Sequence, residues 1–243
     1  MRNMKHIWTV LSGATIIGFA VTFYLVFVST PMDRGLGFTQ KIFYVHVPCA
    51  WVAYLAFVIA GIGGIVYLLR RDDRWDFLAH ASMEVGFVFT TLVIVTGPLW
   101  AKPTWGAYWV WDARLTTTLV LWMIQVGYLV LRSFMTQRDK AARSSAVLAI
   151  FGLVDIPVIH YSVRLWRGLH PDPVVMSSRG FGAGLPPEFL TALFVSLATF
   201  TLLFVLLVVV RYRIEATRAD VASLHFRLNH VGGSPGSTDG DWR

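Results

Sequence analysis

Residues 47–69 read VPCAWVAYLAFVIAGIGGIVYLL and contain no Asp, Glu, Lys, Arg or His. About 20 apolar residues in a helix cross the roughly 30 Å hydrocarbon core of a bilayer, so this stretch predicts a membrane span. Working outward from it, five more apolar runs follow the same rule: 7–28, 85–101, 115–131, 145–163 and 189–210. The first could be mistaken for a secretory signal, but its apolar core exceeds the roughly 7–15 residues of a signal peptide and no small-x-small cleavage site follows it. The expected fold class is an all-α polytopic membrane protein: six transmembrane helices with a tryptophan-rich outer loop between helices 3 and 4. Residues 1–213 form the membrane domain, and 214–243 form a tail that ends in Gly232-Gly233-Ser234-Pro235-Gly236-Ser237 and reads as partly disordered.

Composition agrees. Of 243 residues 56% are hydrophobic and only 14% charged, whereas a soluble domain averages about 25% charged. That shortage excludes a soluble enzyme and a disordered chain, and one cysteine, Cys49, excludes an intramolecular disulfide. The net charge of +7 invites a nucleic-acid partner. The basic residues sit in short clusters between apolar runs rather than in a stripe, which argues against nucleic acid and for topology-setting charge. The N-terminus, the two loops at 70–76 and 132–144 and the tail hold 14 of the 21 Lys and Arg residues, and the other three loops hold 7. By the positive-inside rule both termini are expected in the cytoplasm.

The outer loops carry the unusual chemistry. Trp100, Trp105, Tyr108, Trp109 and Trp111 fall within twelve residues. Two readings stand for them: an aromatic belt at headgroup level, or a shaped platform for a large flat apolar ligand. Asp112 stands just before the fourth run, where it can cap the helix. Arg114 then falls in the first turn, where the helix dipole disfavours a cation, so a partner is expected, either Asp112 or an anionic ligand group. His46 opens the second run beside Pro48, which suits a helix first turn. His170 lies in the last outer loop, and His160 within the fifth run competes with them as a metal ligand. Imidazole is the commonest axial ligand type for haem iron. There is no Cys-x-x-Cys-His for covalent haem, no pair of mid-span histidines on two helices for a transmembrane haem, and no ligand set of zinc type. Asp155, inside the fifth run, is either functional or hydrogen-bonded across helices next to Pro157. Cys49 reads as a small core residue.

At these residues the chain resembles a known family. The run from Trp105 through Trp109 and Trp111 to Asp112 is similar to the tryptophan-rich "WWD" signature of haem-handling proteins in cytochrome c biogenesis, and within them to the haem exporter protein C (CcmC) family of bacteria. The likeness covers roughly 43–210 and includes Tyr44-Val45-His46-Val47-Pro48, Thr96-Gly97-Pro98-Leu99-Trp100 and Leu169-His170. It implies a six-span inner-membrane protein holding haem b transiently and non-covalently at the periplasmic face. His46 and His170 would be the axial ligands, and Trp105, Trp109, Trp111 and Asp112 would lie against the porphyrin, with Trp100 and Tyr108 beside them. The implied partners are a periplasmic haem chaperone, an ATP-binding cassette complex and a small single-span membrane protein, the chain being no ATPase itself. Where the family tends to adjacent tryptophans, this chain has Arg164 and Arg167, which with Arg114 could meet the haem propionates. Two other classes remain: an ion-coupled solute transporter using Asp155, and a haem electron-transfer subunit.

Overall fold

A computed structural model describes residues 2–166, 168–170, 176–177, 180–181 and 185–231. Among the described residues, six helices are long and apolar enough to cross a membrane. They are α1 (Arg2–Tyr24), which tightens into a π-helical turn at Leu25–Ser29, α2 (Phe43–Arg70), α3 (Asp73–Trp105), α4 (Ala113–Phe134), α5 (Arg138–Trp166) and α6 (Pro187–Val231). A 3-10 turn (Phe38–Ile42) leads into α2. Between α5 and α6 a two-residue antiparallel pair, β1 (Met176–Ser177) and β2 (Gly180–Phe181), leaves the protein all-α in class. The Gly-Ser-Pro tail segment at 232–237 and Arg167 lie outside the described residues.

The helices overrun the apolar stretches that reveal them. α3 begins twelve residues before its apolar run because Asp76, His80 and Glu84 find partners and so need not end the helix. Arg132 of α4 makes a bidentate pair with the Asp76 carboxylate at 2.5 and 2.9 Å. Arg211 of α6 does the same with Glu84 at 2.8 and 2.6 Å. Asp72 caps α3 by accepting from the Arg74 N–H at 3.0 Å. Arg213 stacks over Trp8, 5.2 Å from its ring centre, so the start of α1 and the far half of α6 share one end of the bundle with these ion pairs.

α2 and α3 are the central helices, half buried along their apolar windows. Small residues let them approach. A Cβ added at Gly86 of α3 would lie 2.4 Å from the Ala56 Cβ of α2, and one at Gly152 of α5 would lie 2.1 Å from the Phe57 ring. In hydrocarbon such close packing replaces the hydrophobic effect as the force between helices. Cys49 is fully buried among Val52, Ala56, Phe89, Phe200 and Phe204, as expected of a core residue. α6 packs across this core and pairs with α1, where Thr22 and Thr199 share a hydrogen bond of 3.1 Å.

Pro48 departs from expectation. It lies inside α2, not in its first turn. The preceding 3-10 turn lets the chain enter helical geometry five residues earlier, and proline at this position leaves the Tyr44 carbonyl without its usual donor. Pro98 and Pro103 likewise sit inside α3, and Pro157 inside α5.

The Asp76–Arg132 pair is buried, with side chains 4% and 11% exposed. Asp76→Asn leaves a buried guanidinium with a neutral partner and is expected to cost about 3 kcal/mol. Thermal unfolding in detergent checks this, and a midpoint equal to that of the unaltered protein would refute it.

Candidate functional site

The end of the bundle opposite the ion pairs gathers the aromatic and histidine residues. Part of the tryptophan-rich segment is helical rather than loop. α3 runs to Trp105 and ends on Gly106, whose φ of 80° is the left-handed conformation glycine adopts without strain. Trp100 and Trp105 therefore ride the last two turns of α3, while Tyr108, Trp109 and Trp111 occupy the short connection to α4. Lys102 closes this connection: its Nζ donates to the Gly106 carbonyl at 2.8 Å and lies 5.3 Å from the Tyr108 ring centre. Trp109 meets Trp111 edge to face at 5.6 Å. Trp111 is 76% exposed and Tyr108 58%, so the rings do not form one continuous wall.

His46 is set from two helices. It lies one turn into α2, with its ring 5.9 Å from Trp100 and its Cε1 3.4 Å from where a Gly97 Cβ would lie. Its Nδ1 is 2.9 Å from the Thr96 hydroxyl. The single hydroxyl proton of Thr96 goes to the Leu92 carbonyl at 2.6 Å. Thr96 can then only accept, so His46 carries its proton on Nδ1 and a bare lone pair on Nε2. That is the tautomer a metal ligand requires.

Asp112 organises the other half. One carboxylate oxygen accepts from the Leu115 N–H at 2.8 Å, the cap expected from its place before α4. The second oxygen accepts from the His170 backbone N–H at 3.3 Å. A Cβ at Gly168 would lie 2.8 Å from this same oxygen, so glycine is what lets the segment after α5 reach the carboxylate. His170 is then placed with its ring 6.2 Å from Trp105.

Arg114 has partners that its sequence position did not reveal. Its Nε and one terminal nitrogen donate to the Ile159 and His160 carbonyls of α5 at 3.4 and 3.2 Å. The other terminal nitrogen donates to His170 Nδ1 at 3.0 Å. Backbone carbonyls and an imidazole thus offset the unfavourable dipole in the first turn of α4. Arg164 is exposed on the last turn of α5. His160 itself packs its ring against Tyr161 at 5.3 Å.

The arrangement brings together His46, His170, Trp100, Trp105, Asp112 and Arg114. The link between the two histidines is α3, which carries Trp100 beside His46 and Trp105 beside His170. Two buried indole N–H groups, Trp100 Nε1 and Trp109 Nε1, have no hydrogen-bond partner among the described residues. Unpaired buried donors are costly and mark a place for an acceptor. On the α4–α5 side of Asp112 an open cleft of about 650 Å³ is lined by Trp111, Thr116, Thr117, Trp166, Gly168 and Leu169. Neither histidine lines it. Asp155 stands apart on α5, its Oδ2 buried without a hydrogen-bond partner among the described residues, so the interhelical bond expected for it is not made by that oxygen. Sequence reasoning did not single out Thr96 or Gly168 as orienting groups, because each acts only through a residue distant in sequence.

A family model described as "CcmC: Heme exporter protein C" matches residues 1–227. The chain is 38% identical over 214 residues to "Heme exporter protein C" of Bradyrhizobium diazoefficiens, covering 88% of this chain and 80% of that protein. It is 33% identical over 205 residues to the protein of the same name from Haemophilus influenzae, covering 84% and 82%. A "Putative cytochrome c biosynthesis ccmC-like mitochondrial protein" of Marchantia polymorpha is 33% identical over 217 residues, covering 87% and 89%.

The two oxygens of Asp112 have separable roles. Asp112→Ser keeps a cap but cannot also reach the His170 N–H, whereas Asp112→Ala loses both and should cost about 1 kcal/mol. The expected result is a near-normal melting midpoint for the serine variant with faster protease cleavage between α5 and α6. Cleavage at the original rate would disprove the tether.

Proposed function

The chain belongs to the heme exporter protein C family, and from that premise we propose that it carries haem for the maturation of c-type cytochromes. In this reading haem b sits non-covalently at the tryptophan-rich end of a multi-pass protein of the bacterial inner membrane, with both termini in the cytoplasm and the site facing the periplasm. The cargo then passes to a periplasmic haem chaperone. An ATP-binding cassette complex and a small single-span partner work alongside. The chain itself acts as a carrier, with any energy input supplied by other subunits.

The observation that carries this reading is His46. A histidine whose Nδ1–H is spent on Thr96 leaves Nε2 ready for an axial position on iron, and Trp100 lies beside the ring. Haem offers a flat apolar face, an iron and two carboxylates. The site answers with aromatic rings, two imidazoles, and the cation Arg114 together with the unpaired indole N–H groups. A carrier must orient its cargo and also release it. Ligands at the end of the bundle serve both needs better than a haem enclosed between spans would.

A second reading rests on Asp155, since an ionisable group within a span is a candidate for ion coupling. It predicts loss of function in Asp155→Asn.

Absorption spectra of the purified protein, oxidised and reduced, test the first reading. His46→Ala and His170→Ala are each expected to shift or weaken the Soret band and to stop transfer, while Asp155→Asn keeps both spectrum and delivery. Thr96→Val, which frees the His46 ring, should weaken haem binding about 10–100-fold. Normal haem content and delivery in both histidine variants would overturn the axial assignment. A wild-type protein without haem, prepared from haem-replete cells, would favour transport through Asp155.

A further inference from the structure

The two histidines are not equivalent. Arg has only donors, so the 3.0 Å contact between the Arg114 guanidinium and His170 Nδ1 makes that nitrogen an acceptor. A neutral imidazole with a bare Nδ1 carries its proton on Nε2, the nitrogen that faces away from the guanidinium. His46 has the opposite tautomer, because Thr96 can only accept from it. One histidine is therefore ready to bind iron through Nε2, and the other is blocked.

We propose that Arg114 is a latch: it holds His170 in the non-ligating tautomer until the carboxylates of the haem draw the guanidinium away. This rests on the haem-carrier reading and specifies how the second axial ligand is admitted. When Arg114 leaves, His170 Nδ1 takes a proton from water and Nε2 gives one up to water, so the ring stays neutral and gains a lone pair for the iron. No electron moves: one N–H bond forms at Nδ1, one breaks at Nε2, and the freed Nε2 lone pair would then be available to iron. On release the steps reverse. Arg114 returns to Nδ1, the Nε2 lone pair is lost, and the cargo is left on His46 alone.

The geometry sets what the movement must break. The planar guanidinium moves as one unit, so a carboxylate that draws it from His170 also draws it from the Ile159 and His160 carbonyls on its other two nitrogens. The His170 backbone is held separately by Asp112, and its ring lies 6.2 Å from Trp105, so the residue keeps a second attachment while the partner of Nδ1 changes. A carboxylate competes well for the guanidinium, since charge-assisted bidentate pairs are stronger than a bond to a neutral ring. Arg114 thus acts on the iron through His170, as a positioning residue.

The test compares haem with its dimethyl ester, in which the carboxylates are masked. Wild-type protein with ferric haem should be six-coordinate and low-spin by absorption and EPR. With the ester it should lose the low-spin signature and match the His170→Ala variant loaded with haem, and added imidazole should restore low spin by filling the open position. Arg114→Leu removes the latch and should be low-spin with either ligand. The wild-type arm stands alone if that variant fails to fold. A wild-type ester complex that is six-coordinate without added imidazole overturns the latch and leaves the carrier reading intact. The latch also predicts that the ester still binds through His46 and the aromatic rings, so failure of the ester alone to bind counts against it. Failure of haem itself to bind overturns both.

Discussion

The tryptophan-rich end of this protein depends on one carboxylate. Asp112 stops the α3–α4 connection, starts α4 through the Leu115 N–H, and fastens the loop after α5 through the His170 N–H. These contacts join three segments that are adjacent in space only because the bundle folds as it does. Without the second contact the segment after α5 would lose its backbone attachment beside Trp105, and Arg114 would meet a less firmly placed imidazole. The glycine at 168 is the steric counterpart of this tether, since any side chain there would collide with the oxygen that makes it.

The opposite end follows another logic. There the charges answer one another: Asp76 with Arg132, Glu84 with Arg211, Asp73 with Arg138, and Asp139 with Arg71 and Arg143. Basic residues read from sequence as topology signals also join neighbouring helices where the bilayer ends. His80, Glu84 and Glu215 come close enough together to suggest a metal site, but Arg211 already bonds both oxygens of Glu84 and supplies the positive charge a cation would bring. One end is thus dominated by paired charges, and the other holds buried indole donors with no hydrogen-bond partner among the described residues and a histidine with a bare Nε2.

Much of this was legible in the sequence, and the parts that were not share a cause. Apolar runs, only the fifth of them broken by an acidic residue, located all six helices because hydrocarbon admits little else. They misjudged where helices end, since Asp76 and Glu84 close an apolar run without closing a helix once Arg132 and Arg211 pair with them. Trp105 read as a loop residue because the apolar run ends at 101, yet α3 accommodates Pro98 and Pro103 and continues to Trp105. The cap at Asp112 was readable, being a local effect over three residues. The partners of Arg114 and the role of Thr96 were not, because they join α4 to α5 and α2 to α3 across about 50 residues of chain.

The hydroxyl that orients His46 belongs to a different helix from the histidine it holds. The direction of the Nε2 lone pair is therefore set by the register between α2 and α3 as well as by the His46 rotamer. Successive residues of an α-helix are rotated by about 100°, so a slip of one position between these helices would carry Thr96 off the ring. Gly86 against Ala56 and Gly63 against Ala79, in the same helix pair, are close contacts that resist such a slip. Aim at one end of the molecule is thereby a property of interlocked surfaces in its middle, and a partner that shears α3 along α2 would retune the ligand without touching it.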